Sequence, residues 1–273
     1  LKINIENHEK GYDTRMEASD WRYSASVIGL IQYFNFLSNI NGKNYYIEEE
    51  DAILYSSGDI TEERYLEFAE DYFAEDMHHK AIEEYLRKDE FEVEDIKRIN
   101  EKMIANTVLK RVFGKEKFNG SNKTEILELI EENRNLVIKE TYRNKKNLFA
   151  NYGNKNLMLQ FEEQPHCRLI GYNIDEGRKS KCISYQFNTE TFNREDCIEF
   201  DFIPFAFTNT REALFINNNY TIKQLRQTFR ELRVIIKNHL EAERGNAKAA
   251  LFKAIIESSE FIDFDVEVII KNR

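Results

Sequence analysis

DWRYSASVIGLIQYFNFL, Asp20 to Leu37, is the stretch whose reading decides the fold. Its apolar residues Trp21, Ala25, Val27, Ile28, Leu30, Ile31, Phe34, Phe36 and Leu37 recur at helical spacing but cover most of the circumference, the pattern of a helix packed on several sides. Asp20 stands where a side-chain oxygen can accept an orphan N–H of the first turn. Gly29 falls mid-helix, where glycine costs about 1 kcal/mol relative to alanine and marks a close backbone approach. The stretch predicts a buried core helix.

At 273 residues the chain suits one large domain or two modest ones. No apolar run approaches the ~18 residues that cross a bilayer, and the opening LKINIENHEK lacks the basic-then-apolar order of a signal peptide, so no membrane partner is expected. The three cysteines, Cys167, Cys182 and Cys197, are too few and too odd in number for a disulfide framework, which makes a reducing cytoplasm the expected location. The net charge of -10 is unevenly spread: Glu48 to Asp95 holds nineteen acids against four bases, which leaves +5 for the remainder. Two stretches are positively biased, Lys139 to Lys181 and Thr221 to Lys253.

Taken in order, the chain begins with a short alternating strand at Lys2 to Ile5, and the first helix ends in the turn chemistry of Asn41 and Gly42. YYIEEEDAILYS reads as a hairpin closed by Ser57, Gly58 and Asp59, and Thr61 caps a helix striped by Tyr65, Phe68, Tyr72 and Phe73. Further helices are expected at about Lys80 to Arg87, Glu92 to Phe113 and Lys123 to Phe149, with Gly114 as a C-cap and the FNGSNK turn before the last. Past Asn151 the period changes. Ile170 to Ile174 and Cys182 to Phe187 suggest one strand pair, and Ile198 to Phe207 with Ala213 to Ile216 a second. Thr221 caps a long helix to about Ala242, another runs from about Asn246 to Ser258, and FIDFDVEVIIK alternates as a strand. The expected class is α+β: residues 1–150 form the mainly helical part of one large domain, and residues 151–273 a part with mixed or antiparallel sheet elements followed by long helices. An ending so close to a strand suggests a fragment of a longer chain.

Catalytic signatures are absent: there is no glycine-rich phosphate loop, no G-x-S-x-G elbow, no HExxH and no carboxylate pair standing out from the acidic background, so no enzyme and no cofactor are expected. Adjacent His78 and His79 point to different sides of a helix and read as surface residues. The acids of Glu48 to Asp95 alternate with stripe residues, as on the solvated outer face of packed helices. His166, Cys167, Cys182 and Cys197 are weak candidates for a tetrahedral zinc site, since Cys167 and Cys197 lack a second ligand two or three residues on. The long helix from Thr221 says more. Leu225, Phe229, Leu232, Ile236 and Leu240 form its apolar stripe, while Lys223, Arg226, Arg230, Arg233 and Lys237 recur every three or four residues along another edge. Such a strip can neutralise successive phosphates and release their counterions, or it can pair with the acidic block of the same protein. A second basic stretch, Arg143, Lys145, Lys146 and Asn147, combines phosphate donors with a base-reading amide.

Three segments together resemble the large subunit of type I CRISPR effector complexes (Cascade), closest to the type I-B group: DWRYSASVIGLIQYF, GDITEERYLEFAEDYF and DCIEFDFIPFAFTNTREALFINNN. The first is similar to that family's opening Trp helix. The second is similar to its acidic-aromatic helix. The third is similar to the segment where the family carries its second zinc-binding Cys pair, of which Cys197 matches one member; Cys167 matches one member of the other pair, so the family's zinc does not carry over. Members are longer, with a C-terminal helical bundle, so the chain resembles their N-terminal portion.

The resemblance implies a non-catalytic subunit that binds target double-stranded DNA at the protospacer-adjacent motif and helps position crRNA, among other Cascade subunits and with a recruited helicase-nuclease doing the cleavage. Arg226, Arg230, Arg233 and Lys237, with Lys223, would then contact the backbone, and Arg143, Lys145, Lys146 and Asn147 would form a second contact or a motif-reading loop. The side chains of the opening helix are not expected to touch DNA. The alternatives are a protein–protein scaffold whose arginine edge docks an acidic neighbour, and a metal-dependent nuclease with a diffuse site.

Overall fold

The computed structural model describes residues 1–5, 11–105, 107–143, 197–208, 213–218, 221–242, 249, 253, 256–257 and 267–271. They fall into two compact units. One comprises Leu1–Thr61 together with the described residues from Cys197 onward, and the other runs from Glu62 through the described helices to Arg143. The chain thus divides after Thr61, whereas the sequence pattern changes near residue 150.

The first unit is built on a four-stranded antiparallel sheet and a central helix. The strands are β1 (Lys2–Asn4), β2 (Thr14–Glu17), β3 (Tyr46–Glu48) and β4 (Ala52–Tyr55), in the order β1-β2-β4-β3. The β3–β4 hairpin is the one expected from YYIEEEDAILYS, with Tyr46 opposite Tyr55 and Glu48 opposite Ile53. Between β2 and β3 lies α1 (Trp21–Asn41), started by Asp20 Oδ1 accepting from the Arg22 N–H at 2.9 Å and ended by Gly42 at φ 68°. The expected cap, helix and C-terminal turn are all present. The helix is buried almost all round from Ser24 to Ile31, as its nearly uniform apolar circumference requires.

The segment Ile198–Ala206 is a correction. It forms nine residues of 3₁₀ helix where a strand was expected. Every residue from Glu199 to Ala206 is buried, so the Phe200, Phe202, Phe205, Phe207 alternation does not divide a core face from a solvent face. Pro204 has no N–H to give a sheet ladder, and the chain closes on itself through Phe200 N–H to Cys197 O at 3.0 Å and Phe207 N–H to Pro204 O at 3.3 Å. This segment lies along α1. A Cβ built on Gly29 would stand 2.0 Å from the carbonyl oxygen of Phe202, so only glycine admits the contact. Glu199, fully buried, anchors the same segment to the sheet: it accepts from the Tyr55 hydroxyl at 2.7 Å and pairs with Lys2 Nζ at 2.8 Å.

With the 3₁₀ segment removed from the sheet, β5 (Ala213–Asn217) finds its antiparallel partner in β6 (Glu267–Lys271), the expected C-terminal strand. The long helix α8 (Ile222–Ala242) follows β5, with Thr221 Oγ1 accepting from the Gln224 N–H at 3.2 Å as the expected cap. The Ile222 N–H donates to Glu50 O at 2.9 Å, which ties its first turn to the β3–β4 hairpin. The expected strands at Ile170 to Ile174 and Cys182 to Phe187 lie outside the described residues, as does most of the helix expected from Asn246 to Ser258. The α+β class stands, and among the described residues the larger sheet belongs to the first quarter of the chain.

The second unit is helical: α2 (Glu62–Tyr72), α3 (His78–Tyr85), α4 (Val93–Met103), α5 (Thr107–Phe113), α6 (Lys123–Glu132) and α7 (Arg134–Arg143). Two of the longer expected helices are each broken. α4 ends at Ile104, and α6 gives way to α7 at Asn133, whose side-chain Nδ2 donates to Leu129 O at 2.9 Å. The breaks let Ile99, Met103, Leu109 and Phe113 meet Ile126, Ile130 and Val137 in one core. Asn100 holds the FNGSNK turn to that core, donating to Phe118 O at 2.8 Å and accepting from Phe118 N–H at 2.9 Å.

His79 is also a correction: it is fully buried, with Nε2 2.5 Å from Glu70 Oε1. Arg134 Nη1 reaches the same carboxylate oxygen at 2.5 Å and extends to Glu83 and Glu131. Burial works to raise the Glu70 pKa. The His79 hydrogen bond and the charges of His79, Arg134 and Lys80 outweigh it and hold the carboxyl down at about 2. The two adjacent histidines do point to different sides of the helix, and the side that His79 takes is the one turned inward onto Glu70.

Two outcomes are expected. Gly29→Ala lowers the urea midpoint by the equivalent of about 3 kcal/mol, while Gly58→Ala, whose Cβ meets nothing closer than Ser56 Oγ at 3.7 Å, shifts it little. Because the Glu70 pKa is depressed on folding, its stabilisation is full above the ordinary value of 4.5 and is lost as pH falls toward about 2. Glu70→Gln should therefore cost about 3 kcal/mol near neutral pH and flatten the pH dependence of unfolding between those values, as read by circular dichroism.

Candidate nucleic-acid interface

α8 carries its apolar stripe inward and its cations outward. Ile222, Leu225, Phe229, Leu232 and Ile236 are buried, while Lys223, Arg230, Arg233 and Lys237 are exposed and Arg226 is half-buried. At 100° per residue those five cations fall within about 80° of the helix circumference, so the expected strip exists. The side chain of Leu240 lies outside the described residues.

The strip is not wholly free of acid. Arg226 forms an ion pair with Glu48 at the end of β3, the first residue of the acidic run. The intramolecular pairing foreseen as the alternative is thus realised at one position. Arg233 is placed over the Phe229 ring, 5.4 Å from its centroid, and Arg230 Nε donates to Arg226 O at 3.3 Å.

Beside the strip, within the same unit, α1 and α8 enclose a groove of about 510 Å³. Arg226, Arg230 and Arg233 line it from α8 together with Phe229 and Val234, and Gln32 and Asn35 line it from α1. Asn35 Oδ1 accepts from the Tyr46 hydroxyl at 3.2 Å, which orients its amide with the NH₂ group left as a donor. These two amides are what the sequence reading missed when it set α1 aside as core. The signal was present. Gln32 and Asn35 stand three residues apart, on one face of a helix in which Ile31, Tyr33, Phe34 and Leu37 are buried, and polar side chains are costly there unless the face meets a polar surface or solvent.

The second basic stretch is not brought to this groove by anything described. Arg143 ends α7 in the other unit, and Lys145, Lys146 and Asn147 lie outside the described residues. Of the zinc candidates, His166, Cys167 and Cys182 also lie outside them. Cys197 sits at the start of the 3₁₀ segment, half-buried and free. Burial first, and then the neighbouring Glu199 carboxylate by its charge and its hydrogen bond, push the thiol up to about 12. That environment disfavours the thiolate, the form that binds metal and reacts with electrophiles. In a chain carrying Cys167→Ser and Cys182→Ser, alkylation of Cys197 by iodoacetamide at about pH 8 should run on the order of a thousandfold slower than that of an unhindered thiol; Glu199→Gln should speed it.

The family model described as CRISPR-associated protein Csx8 matches residues 12–246, and the chain belongs to that family. No curated protein and no solved structure matches the chain. Among the described residues, no helix is long and apolar enough to cross a membrane.

Proposed function

Starting from membership of a CRISPR-associated family, we propose that the chain is a non-catalytic, nucleic-acid-binding component of a CRISPR effector complex, with the large-subunit role that its sequence resemblance implies. In that role it contacts target duplex DNA at the protospacer-adjacent motif, helps position crRNA beside the other subunits, and leaves cleavage to a recruited helicase-nuclease. The observation that carries the reading is the strip on α8, where Lys223, Arg230, Arg233 and Lys237 face solvent at successive turns. Backbone phosphates recur along a strand, so cations spaced along one edge can meet several at once and release their counterions together. The net charge of -10 fits this division of labour, since a local positive edge on an acidic protein grips phosphate without attracting nucleic acid to every face. The absence from the sequence of recognisable catalytic motifs supports a binding role over a metal-dependent nuclease.

One observation favours a second reading. Arg226 already holds a carboxylate, that of Glu48, so the same edge is chemically suited to an acidic surface of a neighbouring subunit. Charge reversal separates the two. With Arg230→Glu, Arg233→Glu and Lys237→Glu together, duplex affinity should fall at least tenfold and the slope of log K against log salt should flatten by about 2 to 3. An unchanged slope with impaired incorporation into the complex would assign the edge to protein docking.

A further inference from the structure

We propose that the groove between α1 and α8 is a single-strand site, taking one unstacked nucleotide of RNA or DNA with its phosphate on Arg226 and Arg230 and its base against Gln32, Asn35 and Arg233. The proposal rests on the reading of α8 as a nucleic-acid surface and goes beyond it by naming the form of nucleic acid bound. The groove's volume, about 510 Å³, lies in the range of sites for small ligands and suits a nucleotide, whereas a duplex meets a protein along a ridge and keeps its bases stacked out of reach of a cleft. Its two walls differ in chemistry. The α8 wall is cationic, as phosphate requires. The α1 wall carries two amides, the side chains that can both donate to and accept from the edge of an exposed base. Tyr46 holds one of them in orientation through Asn35 Oδ1 at 3.2 Å.

On the α8 wall, the Arg233 guanidinium rests over Phe229 at 5.4 Å. A guanidinium fixed in this way is a platform on which an unpaired base stacks, and Val234, 59% exposed, adds an apolar edge beside it. Phosphate donors, base-edge amides and a stacking surface within one cleft are the three elements by which proteins hold single strands. Glu48 is the counter-charge at one end, pairing with Arg226, and an incoming phosphate competes with it.

The test uses fluorescence anisotropy of the purified chain with single strands of about 12 nucleotides, oligo(U) and oligo(dT), and a duplex of about 20 base pairs. Single strands should bind more tightly than the duplex. Gln32→Ala and Asn35→Ala should each weaken single-strand binding roughly three- to tenfold with the salt slope and duplex binding unchanged, because neither residue is charged. Glu48→Gln should tighten binding by up to about fivefold. The ratio of oligo(U) to oligo(dT) affinities shows which strand the groove prefers. If Gln32→Ala loses cooperative melting, the near-isosteric Gln32→Met takes its place. Amide variants that leave single-strand binding unchanged, or a duplex preference that survives them, overturn the groove while leaving the reading of α8 intact. Failure of Arg230→Glu to affect any probe would remove that reading as well. Poly-glutamate displacing the strands as well as unlabelled oligonucleotide of equal charge would assign the groove to an acidic protein segment instead.

Discussion

The carbonyl oxygen of Phe202 occupies the place where any side chain at position 29 would put its first carbon, and the first unit depends on that contact. Helices pack through side chains at about 8–10 Å between axes; a backbone oxygen against a helix backbone is a much closer approach and needs a residue with no Cβ. What is gained is burial on both sides. α1 packs along its middle against a 3₁₀ segment in which Phe200, Phe202, Ile203 and Phe205 are all but inaccessible, with the Phe202 ring 5.0 Å from that of Tyr33 on α1. A 3₁₀ run of nine residues has poor internal hydrogen bonds and persists where tertiary packing holds it. Glu199 supplies the polar half of that packing, since a fully buried carboxylate is tolerable only with partners such as Tyr55 and Lys2.

The same logic of buried charge organises the helical unit. Glu70 lies nearly inaccessible among His79, Lys80 and Arg134, and Arg134 in turn gathers Glu83 and Glu131. An acidic run that reads as solvated surface thus sends one of its members inward, where it fixes α3 against α2 and α7. The rest of the run behaves as its alternation with aromatic stripe residues implies, with Glu63, Glu67 and Asp71 exposed beside buried Tyr65, Phe68 and Ala69.

How much of this was legible depends on whether the cue is local. Asp20, Gly42, Gly114 and Thr221 act on their own or the adjoining turn of chain, and each cap lies where its chemistry put it. The hairpin of β3 and β4 and the strand β6 were likewise readable from alternation. Ile198–Ala206 was not, because alternating aromatics with an intervening Glu, Asp and Pro fit a strand until tertiary burial of both faces is known. The breaks at Ile104 and Asn133 were also invisible, since the apolar series runs through them and the core they permit is assembled from five helices. At the site, the cationic edge of α8 follows from spacing alone, whereas the groove needs a second helix from nearly two hundred residues earlier in the chain.

That second helix changes what α1 contributes. Its apolar residues do what their pattern required, enclosing Gly29 and the Phe202 carbonyl and so fixing the helix in place. Rigid placement of the buried faces in turn fixes the one face that is not wholly apolar, where Gln32 and Asn35 look onto the arginines of α8. A binding surface made of two helices is only as well defined as their spacing, and that spacing is held at two points: by packing of α1 on the 3₁₀ segment and by Ile222 N–H on Glu50 O. The core helix and the basic edge are therefore parts of one device, in which the demand for glycine at position 29 and the position of the guanidinium groups on α8 are linked through the same packed unit.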